Sequence, residues 1–147
     1  MVYIYILKLV ENKYYIGKSF QPKQRILNHT HYNGSVWTKK YKPIKVVKII
    51  PNCNFYDEDK YTIMYMSKYG IENVRGGSFC KIKLSDIHLQ TIRHMISHST
   101  NRCLNCKSKK HYINKCPHSI LCYCFFSYFI SHNIKNCYIN KIKNLTL

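Results

Sequence analysis

Acidic residues are scarce in this chain. Its 147 residues hold six Asp and Glu against 24 Lys and Arg, a formal net charge of +18. All six acids lie at or before Asp86, together with 15 of the basic residues, while the nine basic residues beyond it have no acid among them. A surface this poor in acid attracts phosphate backbones and releases their counterions on binding. Abundant Asn, Ile, Lys and Tyr suggest AT-rich coding sequence as one source of the charge, but the surface carries it whatever its origin. Long apolar runs are also lacking. The longest mostly apolar stretch, Ile120 to Ile130, is too short to span a bilayer, so no membrane partner is expected. No secretory leader is evident, since Met1 leads straight into a strand pattern. An intracellular, reducing location follows, in which the eight cysteines serve as thiols rather than disulfides. Six of them fall after residue 100, interleaved with histidines, which points to metal. With 46% hydrophobic residues, the chain can build one moderate domain and a small appendage.

The stretch MVYIYILKLVENKYYIGKS organises the rest. Residues 2 to 7 alternate Val2, Ile4 and Ile6 with Tyr3, Tyr5 and Leu7, so both faces of the expected strand are apolar or aromatic and both are covered. Glu11-Asn12-Lys13 is turn-like, and Tyr14 to Ile16 reads as the returning strand of a hairpin. Tyr5 and Tyr15 can then present two phenols on one sheet. At Gly17 a side chain would crowd whatever approaches the backbone.

Ser19 and Pro22 supply helix-start chemistry. The helix from Lys23 to His29 puts Arg25 and His29 on one face, a charged fork and a proton-moving group suited to phosphate. The basic loop Gly34 to Pro43 carries the one tryptophan. Trp37 there can stack on a base or plug the core edge, and Lys39 and Lys40, like Lys18, can meet phosphates. Ile44 to Ile50 is the third strand, ended by Pro51-Asn52. Asp57-Glu58-Asp59 opens a helix closed by Gly70, its acids favourable at the N-terminus. Arg75-Gly76-Gly77 suits a tight turn, with Arg75 structural or phosphate-facing. Ser85 N-caps a helix ending near His98. His94 and His98 sit at i, i+4, but no carboxylate or cysteine completes a site, and with His88 they read as surface residues.

Cys103, Cys106, His111 and Cys116 follow the spacing C-x2-C-x4-H-x4-C, three thiolates and an imidazole for tetrahedral Zn2+. So short a segment has no core, and metal binding would supply most of its folding free energy. The pattern resembles the retroviral-type zinc knuckle. Lys107 and Lys110 stand where that family has glycine. Leu104 and Tyr112 occupy its base-contacting positions, with Lys109 and Lys110 nearby, which suits single-stranded DNA or RNA. Cys122, Cys124, His132 and Cys137 read as a worn second copy, either zinc-binding or decayed.

The YIG of Tyr15-Ile16-Gly17, a first half with Tyr3 in place of glycine, and the Arg25/His29 helix together resemble the GIY-YIG nuclease family. Residues 57–79 followed by a knuckle resemble its branch in large DNA viruses. The resemblance implies a small α/β domain with a three-stranded antiparallel sheet flanked by helices, followed by the knuckle. Boundaries of 1–82 for the nuclease-like domain, 83–101 for helix and linker, 102–117 for the knuckle, 118–137 for the worn copy and 138–147 for a basic tail are expected. It also implies a metal-dependent endonuclease acting on DNA. Glu58 would hold Mg2+ (or Mn2+), with Asp57 and Asp59 as alternatives. Tyr15 would act as general base, Arg25 would stabilise phosphate charge, and Tyr5 and His29 would orient water or relay the proton. A viral setting would put the protein in an infected cell's cytoplasm or viral factory. The rival readings are a scaffold that has lost cleavage and survives as a zinc-dependent single-strand binder, and an RNA-directed activity.

Overall fold

The structure, a computed structural model, describes residues 1–31 and 33–117. The worn second knuckle at Cys122, Cys124, His132 and Cys137 and the basic tail lie outside the described residues. The chain divides into two compact units, Met1–Thr100 and Asn101–Leu147. Among the described residues, no helix is long and apolar enough to cross a membrane.

In the first unit, strand β1 (Val2–Leu9) turns through Glu11 and Asn12, both at positive φ, into β2 (Tyr14–Ser19). Helix α1 (Pro22–Thr30) starts on its proline, whose missing N–H is harmless in the first turn. The expected basic loop contains a short helix, α2 (Val36–Lys40), because the Ser35 hydroxyl accepts from the Thr38 N–H and caps it. Strand β3 (Pro43–Cys53) precedes α3 (Asp57–Tyr69), a three-residue strand β4 (Val74–Gly76) and α4 (Asp86–Ser99). Ser85 caps α4 as its sequence suggests, accepting from the His88 N–H.

The sheet has four strands in the order β3-β1-β2-β4, not the expected three. β1 pairs antiparallel with β2 and β3, and β2 pairs parallel with β4. Three residues containing glycine are too few to show strand periodicity, so β4 reads in the sequence only as a turn. β3 also runs further than expected, through Pro51 and Asn52. It is an edge strand, where a proline without an N–H is tolerated.

Alternation along the hairpin sends its side chains into two cores. On one face Ile4, Ile6, Tyr14 and Ile16 meet Ile63 and Met66 of α3, then Leu84 and Ile92. On the other, Tyr5, Leu7, Leu9 and Tyr15 pack with Trp37 and Ile26. Each fully buried side chain of this size contributes about 1.5–3 kcal/mol, so the doubly covered hairpin anchors the domain.

Arg75 ties the second core together. It is 2% exposed, and its guanidinium donates to the carbonyls of Ile71, Val74, Lys81 and Ile82 at 2.6–2.9 Å. The same group lies 4.5 Å from the Trp37 ring centre. Of the two roles its sequence context allowed, the structural one is what the fold uses.

Candidate active site

Tyr5 of β1 stands opposite Gly17 of β2, and Tyr15 lies two residues along on the same face. The hydroxyl end of Tyr5 lies over Gly17, where any Cβ would collide with the Tyr5 hydroxyl and ring. The glycine of the YIG triplet is thus an empty place that a tyrosine fills. The ring centres of Tyr5 and Tyr15 are 6.3 Å apart, and His29 of α1 lies 5.7 Å from the first and 4.8 Å from the second.

His29 is held at both nitrogens. The Thr38 hydroxyl donates to the Ser35 carbonyl at 3.0 Å, so its oxygen accepts from His29 Nδ1–H at 2.8 Å. Nε2 then accepts from the Tyr5 hydroxyl at 2.9 Å. A Cβ on Gly34 would strike both His29 Nδ1 and Thr38 Oγ1, so this glycine keeps the bond open. Burial, then the Arg25 charge, lowers the His29 pKa to about 4, and the ring is neutral at pH 7.

Burial and then the neighbouring Tyr15 push the Tyr5 phenol far up, with the Arg25 charge and hydrogen bond opposing. Tyr15 is also raised, first by burial. A hydrogen bond with Ser35 and the Arg25 charge pull it down, and the Glu58 charge pushes it up. Both phenols therefore hold their protons at neutral pH. Arg25 and Glu58 act on both tyrosines, so the five residues expected to carry the chemistry share one neighbourhood.

The three acids at the start of α3 differ sharply in their commitments. The Asp57 carboxylate accepts from the Asn54 N–H at 2.8 Å and meets Lys60 at 3.3 Å. The bond from Asn54, reinforced by Lys60, holds its pKa below the usual range. Asp59 accepts from both the Ser78 N–H and hydroxyl at 2.7 Å, pinning the turn after β4. Glu58 faces a cleft of about 280 Å³ lined also by Asp59, Lys18, Phe55, Gly77 and Ser78, and meets Lys18 Nζ at 3.4 Å. Of the two carboxylates in its wall, Asp59 is bonded to Ser78 and Glu58 to a lysine, and a carboxylate beside open volume suits a magnesium-like cation, which keeps several waters and takes substrate phosphate as a further ligand.

The tryptophan departs from one sequence expectation. Trp37 is 2% exposed, its indole N–H donates to the Tyr14 carbonyl at 3.1 Å, and Arg75 and Tyr41 cover its ring. It cannot stack on a base, and its second reading as a core plug holds. Lys39 and Lys40 do lie exposed on α2. The exposed aromatics of the first unit include Phe20, Phe55 and Tyr56, each just before a helix and outside any strand alternation. That placement is the one signal they carry in the sequence.

In the second unit, one ligand atom from each of Cys103, Cys106, His111 and Cys116 lies within 4.8 Å of the others. Cys106 Sγ and His111 Nε2 are 3.1 Å apart. Three sulfurs and one imidazole nitrogen converging this closely fit a tetrahedral ion with bonds of about 2.0–2.3 Å. Asn105 donates to Cys116 Sγ at 3.4 Å, an outer contact that steadies a ligand. Lys107 sits at φ 61°, a glycine-like conformation, and its Nζ folds back to the Leu104 carbonyl at 2.8 Å. Lys110, at the other expected glycine position, has no positive φ. Lys109, Lys110 and Tyr112 line a cleft of about 450 Å³ together with Asn101, His111, Asn114 and Lys115, while half-buried Leu104 is not among its walls.

No curated protein and no solved structure matches the chain. The family model described as the GIY-YIG catalytic domain, from a family of nucleases, matches residues 1–62, the stretch that contains Tyr5, Tyr15, Arg25, His29 and Glu58.

Proposed function

We propose that this protein is a divalent-metal-dependent endonuclease that cleaves DNA, with a zinc knuckle that grips nucleic acid. The observation that carries the reading is the contrast among the three acids of α3. Asp57 and Asp59 are hydrogen-bonded into turns, while Glu58, which shares the cleft wall with Asp59, meets Lys18 instead and acts on two buried phenols beside a neutral histidine.

A cation such as Mg2+ on Glu58 would polarise the scissile phosphate and stabilise the leaving oxygen. The remaining work falls to the chain. Lys18, paired with Glu58 in the free protein, turns to the incoming phosphate. Arg25 balances the negative charge that builds there. Tyr15 would accept the proton of the attacking water after its own phenol proton has been lost to solvent. Its phenol is held protonated partly by Glu58, so neutralising that carboxylate makes the tyrosine more acidic and couples proton acceptance to loading of the site. Neutral His29 fixes the direction of the Tyr5 hydroxyl and offers the proton an onward route. In the knuckle, Cys103, Cys106, His111 and Cys116 would hold Zn2+, and Tyr112 with Lys109 and Lys110 would face an unpaired strand.

The test is nicking of supercoiled plasmid with Mg2+ by wild type, Glu58→Gln, Tyr15→Phe and Asp57→Asn. Cleavage is expected to fall by about 10²- to 10⁴-fold in Tyr15→Phe, to vanish in Glu58→Gln, and to persist in Asp57→Asn. A wild type that binds single strands tightly but cuts neither plasmid, flapped DNA nor matched RNA would overturn the enzyme reading in favour of a binding protein.

A further inference from the structure

Phe20 and Phe55 are 63% and 59% exposed, although each ring is large enough to belong in a core. They are not scattered. Their centres lie 6.1 Å apart at 69°, an edge-to-face pair built from the loops that lead into α1 and α3. Lys18 joins this pair to the cleft. Its Nζ sits 5.8 Å from the Phe55 ring centre, donates to the Phe55 carbonyl at 3.2 Å, and reaches Glu58 at 3.4 Å. Phe55 is itself one wall of the Glu58 cleft. Thus an apolar aromatic platform, a cation and a carboxylate suited to a metal lie side by side, bridged by one lysine head group.

We infer that Phe20 and Phe55 form a stacking platform for an unpaired nucleobase beside the scissile phosphate, so that the preferred substrate is DNA with an unpaired nucleotide at the cleavage site. This deepens the nuclease reading and rests on it. The occupant is fixed by charge. A nucleotide is a flat apolar face attached to an anion, and here a flat apolar surface adjoins a lysine in a chain of net charge +18. A continuous duplex hides its base faces in the stack. Only a bulge, gap or flap offers one with little unstacking cost, whereas flipping a paired base pays it in full.

The test uses the full chain with its knuckle loaded. The variants are Phe20→Leu/Phe55→Leu, which keeps apolar bulk but removes the π-face, and Phe20→Tyr/Phe55→Tyr, which keeps it. One arm omits divalent catalytic metal and follows the fluorescence of 2-aminopurine at a one-nucleotide bulge. Quenching is expected with wild type and the Tyr pair, and is expected to be lost in the Leu pair, whose knuckle is unchanged. The second arm adds Mg2+ and compares bulged with continuous duplex. Wild type is expected to cut the bulged DNA faster by about 5- to 150-fold, the range one base stack provides, and the Leu pair to cut both alike. Equal cleavage of the two DNAs by wild type, or a preference and quenching that survive in the Leu pair, overturns the platform. If wild type cuts nothing, the nuclease reading fails, and the fluorescence arm still decides whether the two rings take a base.

Discussion

Replacing Gly17 with alanine tests the central contact of the site. The new Cβ would overlap Oη and Cζ of Tyr5, which sits on the neighbouring strand with its backbone fixed by pairing on both sides. The ring must move. Overpacking of this kind costs about 1–3 kcal/mol. Moving the ring also breaks the 2.9 Å bond to His29 and strands two buried polar groups, for a further 1–3 kcal/mol or so. Gly17→Ala should therefore destabilise the domain by about 2–6 kcal/mol. Urea unfolding followed by Trp37 fluorescence reads this directly, because the single tryptophan lies in the same core. A double-mutant cycle separates the two contributions. Tyr5→Leu lacks every atom that the alanine would strike, so combining it with Gly17→Ala should cost at least ~1 kcal/mol less than the separate changes together. Tyr5→Phe keeps Cζ and Cε2, so its cycle should show only the share due to the hydroxyl. Costs in the leucine cycle that add to within about 0.5 kcal/mol would refute the claim that Gly17 is glycine because of Tyr5.

Other expectations concern charge and metal. His29 has its pKa lowered to about 4, so between pH 6.5 and 4 the unfolded chain binds the extra proton and stability falls as pH falls. The loss approaches roughly 3 kcal/mol at full protonation, and a His29→Gln variant should lack this part of the acid slope in urea titrations. Arg75→Met leaves four carbonyls without their donor and should cost about 3 kcal/mol or more, read as a lower urea midpoint. Lys107→Gly removes a left-handed lysine and should stabilise the metal-bound knuckle by about 1 kcal/mol, seen as tighter zinc in chelator competition. Unchanged zinc affinity would count against strain at that turn.

Much of this arrangement is legible in the sequence because it is local. Alternation gives the hairpin and its two covered faces, Pro22 and Ser85 give helix starts, and the cysteine spacing gives the knuckle. The pairing of Arg25 with His29 follows from helical geometry alone. What stays hidden depends on residues far apart in the chain. Asp57, Glu58 and Asp59 look alike until Ser78, 19 residues beyond Asp59, claims one of them. Trp37 could point either way until Arg75 closes over it. Phe20 and Phe55 join no periodic pattern, and only the approach of two loops makes them a pair. A three-residue strand such as β4 is too short to announce itself.

The position of Arg75 also bears on how this domain can be handled as a module. The family match stops at residue 62, inside α3, and would invite a cut there. Such a fragment would lose the rest of α3, the strand beside β2, and the guanidinium that covers Trp37. The side chains proposed to carry the chemistry would all be present, yet the hairpin carrying the two tyrosines would have an open edge and two unroofed cores. For transplanting or expressing this domain alone, the smallest self-contained piece extends to about Thr100, where the compact unit ends.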